Sequence, residues 1–208
     1  MRRALFCTGT IMLLLACTSS RPSSVDPQRY RSEDGGLRLA LVKQPYHGGR
    51  NVAELSRNPD YLERGGLAGI LTQAGHRIRA VQEVGLTPPE GREYGEWHRM
   101  GLANGHLAEF VSENERNGAL TIGLLGNCNA LMGMLGGFQH ADPAAGPLTV
   151  GLVWIDAHGD FNTWETTPSG FLGGMPLAML AGLGEQTLLE ALDIGPLPQE
   201  QIILTDAR

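Results

Sequence analysis

The stretch GLVWIDAHGDFNT, residues 151–163, decides the fold, because an apolar run passes directly into a set of polar side chains. The apolar run predicts a buried β-strand, which we expect over residues 148–155. Asp156, His158 and Asp160 follow at alternating positions, which would turn all three side chains to one side of an extended backbone. Two carboxylates beside an imidazole are costly unless a cation lies among them, so the stretch predicts a metal site.

The ligand types of this triplet indicate the metal. Oxygen and nitrogen ligands together favour manganese, zinc or iron over calcium. The alternative interpretation is an acidic strand end with a solvated histidine, which accounts less well for the alternation that follows an apolar strand.

Strands and helices alternate along the rest of the chain, which predicts an α/β domain with a parallel sheet. We expect the other strands at residues 37–42, 78–84, 120–125 and 201–205, and helices at residues 59–74, 97–117, 130–135 and 176–181. Ligands of such sheets bind beyond the carboxyl ends of the strands. The loops at residues 126–129 and 156–174 follow two such ends and carry the unusual polar residues.

Composition excludes several classes of protein. The 208 residues include 29 glycines, and charged residues make up only 18% of the chain, so disorder, coiled coil and collagen do not fit. Sixteen basic and 22 acidic side chains give a net charge of -6, with no basic stripe. Nucleic acid is therefore not expected as a partner.

The first 17 residues, MRRALFCTGTIMLLLAC, predict an export signal, because two arginines precede a short apolar run. The ending Leu-Leu-Ala-Cys resembles the lipobox of bacterial lipoproteins, which would make Cys17 the lipidated first residue. We therefore expect a lipid-anchored protein of a bacterial cell envelope that faces the periplasm and touches the membrane only through this anchor. A cytoplasmic protein would follow if the start codon were wrongly assigned.

The remaining chain divides into two parts. Residues 18–36 are polar, rich in Ser and Pro, and predict a tether. Residues 37–208 predict the folded domain. Cys128 is the only cysteine that this domain contains.

The longer stretch WIDAHGDFNTWETTPSGFLGGMPLAML, residues 154–180, closely resembles the signature of the arginase or ureohydrolase family, which includes arginase, agmatinase and formiminoglutamase. The resemblance implies a three-layer α/β/α fold with a mainly parallel sheet. It also implies two manganese ions that bridge a hydroxide, and this hydroxide attacks a guanidinium carbon and releases urea. Asp156, His158 and Asp160 would be the metal ligands and thus the catalytic residues. The family also implies a homo-oligomer.

The same resemblance assigns substrate binding to Asn162, Thr167 and Ser169, which match positions that hold the α-carboxylate in arginase. These residue types are also common in ordered turns, and one residue can serve both purposes. Carboxylate binding favours arginine, a small guanidino amino acid, over the decarboxylated substrate of agmatinase.

The sequence departs from the family pattern at two positions of the site. Cys128 stands where the family has a histidine ligand. A thiolate there could still bind metal and would favour zinc or iron. The alternative interpretation is a buried, inert cysteine. Gly173 stands where arginases carry a histidine that moves protons. His47 is a candidate replacement, although a plain loop histidine is the simpler interpretation.

The third departure lies at the carboxyl end of the sequence. The family completes its site with an Asp-x-Asp pair after a later strand, and residues 202–208 resemble a strand that precedes that pair. We therefore expect an arginase-like domain that is incomplete at the C-terminus and that would hydrolyse C–N bonds if the full-length protein supplies the missing ligands.

Two rival functions remain. A deacetylase of the same overall fold also uses an Asp-x-His pair, but Asp160 and Asn162 argue against it. A non-catalytic envelope lipoprotein could keep the fold and one metal while it binds a small ligand or a partner. The number of bound metal ions would distinguish this protein from the enzyme.

Overall fold

The computed structural model describes residues 11–15, 25–48, 54–142 and 147–207. The strands are β1 (Ile11–Leu15), β2 (Arg38–Gln44), β3 (Arg77–Glu83), β4 (Leu120–Leu125), β5 (Gly151–Ile155) and β6 (Ile202–Thr205). The α-helices are α1 (Asn58–Arg64), α2 (Leu67–Gln73), α3 (Glu96–Arg116), α4 (Leu131–Gln139), α5 (Pro176–Leu180) and α6 (Thr187–Ala191).

The strands form two three-stranded sheets, in the orders β3-β2-β4 and β1-β5-β6. The strand β2 pairs in parallel with β3 and β4, and β5 pairs in parallel with β6. The strand β1 runs antiparallel to β5, with Ile11 opposite Ile155 and Leu15 opposite Gly151. Among the six strands of the described part of the chain, β1 and β5 are the one antiparallel pair, and an isolated antiparallel bridge joins Arg31 to Leu37. The predicted mainly parallel sheet is thus confirmed.

The central strand β2 shows why helices cover both faces of the sheet. Successive side chains of a strand point to opposite faces. Leu39 and Leu41 pack with Leu71 of α2 on one face, whereas Ala40 and Val42 belong to the larger core on the other face. A strand that is buried on both sides reads as a continuous apolar run. The result is the predicted three-layer α/β/α arrangement.

The larger core lies between the sheets and the helices α3, α4, α5 and α6. Trp154 of β5, Leu107 of α3 and Leu131 of α4 are fully buried there. Each buried side chain of this size contributes about 1.5–3 kcal/mol relative to leaving it in water. This packing holds β5, and therefore the loop that follows it, in a fixed place.

Three local expectations need correction. The helix expected over residues 59–74 is two helices, because Gly66 has a φ of 83°, a left-handed conformation that no helix interior tolerates. The strand expected from residue 148 begins at Gly151, and helix α6 was not expected.

The segment before β2 contacts the domain. Residues 27–30 form a 3-10 turn, in which the Asp26 side chain accepts a hydrogen bond from the Gln28 amide. The Arg29 guanidinium donates to the Glu115 carbonyl. Arg38, the first residue of β2, donates through Nη1 to the Arg31 carbonyl at 2.8 Å and through Nε to the Gly118 carbonyl at 3.0 Å. The described part of the predicted tether is thus held against α3 and the turn that follows it.

The predicted leader is described only at residues 11–15, where it forms β1, and Cys17 lies outside the described residues. Its cleavage and lipidation stay predictions. Within the described ranges, no helix is long and apolar enough to cross a bilayer.

Candidate metal centre

Two loops at the carboxyl ends of β4 and β5 form the site. The strand β4 ends at Leu125, which pairs with Gln44 of β2, and the Gly126 amide donates to the Gln44 carbonyl at 2.8 Å. The strand β5 ends at Ile155 in the other sheet. The predicted position of the site beyond the carboxyl ends of the strands agrees with this placement.

Three side chains from these loops converge. The Sγ atom of Cys128 and one carboxylate oxygen each of Asp156 and Asp160 all lie within 4.8 Å of one another. Metal–ligand distances of about 2.0–2.3 Å place three evenly spaced ligands of one ion no more than about 4.0 Å from one another. One cation could therefore contact all three atoms after only a small contraction.

The turn before Cys128 fixes the thiol. Cys128 begins a 3-10 turn, Cys128–Ala130, and the Oδ1 atom of Asn127 accepts a hydrogen bond from the Asn129 amide at 3.0 Å. The Nδ2 atom of Asn127 donates to the His47 carbonyl at 3.5 Å. A Cβ atom on Gly126 would lie 2.9 Å from the Pro45 carbonyl oxygen, so only glycine allows this approach of the two loops.

The backbone of Asp160 fixes the second carboxylate. Its φ of 43° turns the chain sharply, and its carbonyl accepts the Leu177 amide at 3.0 Å and the Ala178 amide at 3.4 Å. These two amides belong to the first turn of α5, where no partner exists within the helix. The Asn162 amide donates to the Gly174 carbonyl at 3.0 Å and fixes the next part of the loop.

The Asp160 carboxylate is placed where a negative charge is costly. Burial, with a smaller contribution from the charge of Asp156, raises the pKa of Asp160 to about 6, although hydrogen bonding with Cys128 and the charge of His158 oppose the shift. Asp160 is only 9% exposed, and its Oδ2 atom is buried without a hydrogen-bond partner among the described residues. A cation at this point would pair the unsatisfied oxygen and offset the crowded charge, so the donor set fits a divalent metal.

His158 lies beside this cluster but outside it. Its side chain is 83% exposed, and its Nδ1 atom is 3.3 Å from the Oδ1 atom of Asp156. The extended backbone expected over residues 156–160 is not found, because β5 ends at Ile155 and the loop turns. The alternation of side chains along an extended strand therefore does not place His158 on the same side as Asp160. The role of His158 as a metal ligand stays a prediction.

The predicted substrate residues lie in the ordered loop after Asp160. Asn162 Oδ1 accepts the Thr166 hydroxyl at 3.2 Å, Thr167 Oγ1 accepts the Gly170 amide at 3.0 Å, and Ser169 Oγ accepts the Phe171 amide at 3.3 Å. The three side chains thus stabilise turns. Because only oxygen acceptors are used in these bonds, the Asn162 amide nitrogen and the Thr167 hydroxyl retain hydrogens that can be donated to an anion.

A cavity of about 290 Å³ lies beside the same loop. Its lining includes Glu96 and Trp97 at the start of α3, and Trp164, Phe171 and Leu172 of the loop. The Trp97 and Trp164 rings are 6.4 Å apart between centroids. The sequence interpretation missed these residues, because only the fold brings α3 next to the loop. Trp164, a large aromatic residue in an otherwise polar part of the loop, was the signal in the sequence that could have indicated them.

Comparison with known proteins gives one family for this chain. Residues 68–205 match the family model described as the Arginase family. An arginase of Bacillus caldovelox is 35% identical over 178 residues, which cover 82% of this chain and 58% of the relative. The arginase of Entamoeba histolytica is 29% identical over 160 residues, or 73% of this chain and 51% of that protein. The chain spans about half the length of the curated relatives it matches.

Solved structures give the same fold. The arginase of Bacillus subtilis superposes with a TM-score of 0.67 at 22% identity, over 82% of this chain and 56% of that one. The arginase of Entamoeba histolytica in complex with L-ornithine superposes with a TM-score of 0.61 at 26% identity, over 82% and 58%. The matched family residues include both loops of the metal centre, and the chain belongs to the arginase family.

Proposed function

We propose that this protein is a metal-dependent C–N hydrolase that acts on a linear guanidino or amidino amino acid, with arginine as the first candidate. The observation that supports this proposal is the cluster of Cys128, Asp156 and Asp160, in which a buried carboxylate oxygen has no partner within the described residues. A bound divalent cation would supply an activated water and polarise the substrate.

The residues of the chain have separate tasks in this proposal. Asp156 and Asp160 would hold the metal, together with Cys128. The family resemblance implies manganese, and the thiol of Cys128 also allows zinc or iron. His158 lies close enough to Asp156 to take part as a further ligand. The tight attachment of Asp160 to the start of α5 keeps its carboxylate in place while the substrate binds.

The loop after the metal ligands would hold the amino-acid end of the substrate. Asn162, Thr167 and Ser169 present an amide and two hydroxyls without adding charge beside the metal. A relative of this fold is described in complex with L-ornithine, which is itself a linear amino acid. We propose that an α-carboxylate at this loop distinguishes arginine from agmatine, which lacks that group.

The test combines metal analysis with a substrate comparison. The full-length protein encoded by the gene, loaded with manganese, is expected to hold two ions per chain and to release urea from arginine, but much more slowly from agmatine. Equal rates on both substrates would remove the carboxylate assignment. If neither arginine nor agmatine yields urea although two ions are bound, the proposed hydrolysis of guanidino compounds is overturned.

A non-catalytic binding protein is the second candidate, and one observation favours it. Gly173 has no titratable group and no room for one, because a Cβ atom there would lie 2.5 Å from the Phe171 ring. One ion or none per chain, with an amino acid bound and released unchanged, would support this alternative. Equilibrium dialysis with labelled arginine measures that retention.

We also propose that the protein is exported and lipid-anchored at Cys17. The basis is the residue pattern from Arg2 to Cys17, with two arginines, an apolar run and a Leu-Leu-Ala-Cys ending. Mass spectrometry of the protein from its native cells would find an acylated N-terminal Cys17. A mature protein that retains residue 11 would overturn the proposal.

A further inference from the structure

Cys128 is the residue of the metal cluster that the family pattern does not supply. It begins the turn after β4, and its Sγ atom lies within 4.8 Å of carboxylate oxygens of Asp156 and Asp160. The Asn127 cap and the close approach of Gly126 to Pro45 hold this turn in place. The thiol is thus positioned by the backbone.

A second observation indicates that the thiol faces a ligand position. Asp160 is nine-tenths buried, and its Oδ2 atom has no hydrogen-bond partner in the described ranges. Native proteins seldom leave a buried carboxylate oxygen unsatisfied, and a bound cation is a common explanation. Asp160, which carries this unsatisfied oxygen, and Cys128 belong to the same three-residue cluster.

We propose that Cys128 binds the metal as a thiolate, and that it shifts the preference of the site from manganese toward zinc. Manganese prefers carboxylate, carbonyl and water ligands, whereas thiolate is a soft ligand that favours zinc. The inference concerns the same site as the proposed hydrolase and rests on that site binding a metal, but it makes no claim about turnover.

Cobalt is the probe for the first step, because a thiolate bound to Co²⁺ gives an intense near-ultraviolet charge-transfer band that carboxylate and imidazole ligands do not give. The full chain is titrated with Co²⁺, and bound cobalt is counted by elemental analysis. Cys128→Ser and Cys128→His are the matched variants. Cys7 and Cys17 remain in all three proteins, so any difference between them reports Cys128 alone.

We expect the band in the unmodified protein and its loss in both variants, with cobalt still bound to Cys128→His. Cobalt bound to the unmodified protein without this band would overturn the inference and leave the metal-dependent function standing. Failure of the unmodified protein to bind cobalt would overturn both. Circular dichroism of each variant separates loss of a ligand from loss of the fold.

Competition between zinc and manganese measures the second step. Zinc binds more tightly than manganese at almost any such site. The informative quantity is therefore the change in the ratio of the two affinities between the unmodified protein and the variant. Cys128→His is expected to lower the zinc-to-manganese ratio by on the order of 10-fold or more, in line with the sensitivity of metal sites to their surroundings. An unchanged ratio would overturn the proposed preference.

Discussion

The Phe171 ring occupies the space that a side chain at position 173 would need. A Cβ atom on Gly173 would lie 2.5 Å from two ring carbons of Phe171 and 3.1 Å from the Nδ2 atom of Asn127. The Phe171 ring therefore limits which residue position 173 can hold. A histidine at position 173 would require the ring to move.

We expect Gly173→His to lower the free energy of unfolding by about 1–3 kcal/mol, the usual cost of overpacking. Phe171→Ala in the same protein should remove most of that additional cost, because it empties the space the new side chain needs. Urea unfolding of the two single variants and the double variant measures this coupling. Strictly additive effects would show that the ring does not limit position 173.

Gly126 tests how the two loops approach each other. Gly126→Ala places a methyl group 2.9 Å from the Pro45 carbonyl oxygen, so we expect a loss of about 1–3 kcal/mol in stability and weaker metal binding. Gly105→Ala, in the middle of α3 with no atom within 4 Å of the new Cβ, is the matched control. It should raise stability by about 0.5–1 kcal/mol. Equal effects at both positions would contradict the close contact.

Replacing Asp160 should make the metal-free protein more stable but weaken its metal binding. Asp160→Asn removes a buried negative charge, so in the presence of a chelator near neutral pH we expect an increase in unfolding free energy of about 1–2 kcal/mol. The same variant should lose metal binding, as should Asp156→Ala. Chemical denaturation and elemental analysis measure the two effects. Unchanged metal content in either variant would contradict the site.

The proposed binding of the substrate carboxylate by the loop that contains Asn162, Thr167 and Ser169 can be tested with one charge. Asn162→Asp places a carboxylate where the substrate carboxylate is proposed to bind, so the KM for arginine should rise about 10-fold or more, equivalent to about 1.4 kcal/mol. The KM for agmatine, which has no carboxylate, should change little. Steady-state urea release with both substrates decides this, and parallel changes in the two KM values would contradict the assignment.

Glu115 predicts a pH dependence of stability. Burial raises the pKa of Glu115, while Tyr30, Arg29 and the Thr121 amide, which donates to Oε1 at 2.9 Å, oppose the shift. Between the ordinary value of 4.5 and the raised one, the folded state holds a proton that the unfolded state releases. The free energy of unfolding must therefore fall as pH rises through this window.

Glu115→Gln keeps an acceptor for the Thr121 amide but cannot ionise, so the stability of the unmodified protein relative to this variant should fall as pH rises above about 4.5. The matched control is Glu113→Gln, which changes an exposed glutamate on the same helix. Denaturation midpoints across the pH range measure the effect. A difference that stays constant with pH would contradict the raised pKa.

Local patterns predicted most of the fold. The strand over Leu120–Leu125 was predicted with the bounds that the structure has, because it is apolar and ends at a glycine. The break between α1 and α2 was missed, although the pair Gly65-Gly66 was a readable signal. The contact of residues 27–30 with α3 was missed. The hydrogen bond from Arg29 to the Glu115 carbonyl joins segments that are distant in the sequence, and no local pattern indicates that they meet.

The site was predicted in its parts and not in its geometry. The position of Cys128 and the two aspartates after strands β4 and β5 indicated a common edge, and the structure brings these three together. The exposure of His158 could not be predicted, because it depends on where the strand ends and on the left-handed turn at Asp160. The aromatic cavity depends on the contact between α3 and a loop more than 60 residues away in the sequence, between Trp97 and Trp164.

The pairing of β1 with β5 would link the proposed export to the loop that carries the candidate metal ligands. Residues 11–15 belong to the predicted leader, yet they satisfy backbone groups of β5 directly before Asp156. Cleavage at Cys17 would remove this partner and leave one row of β5 amides and carbonyls open to water. A newly opened strand edge recruits another strand. Processing of the precursor would then change the neighbour of the strand that carries the ligands, so the precursor and the mature protein need not bind metal equally.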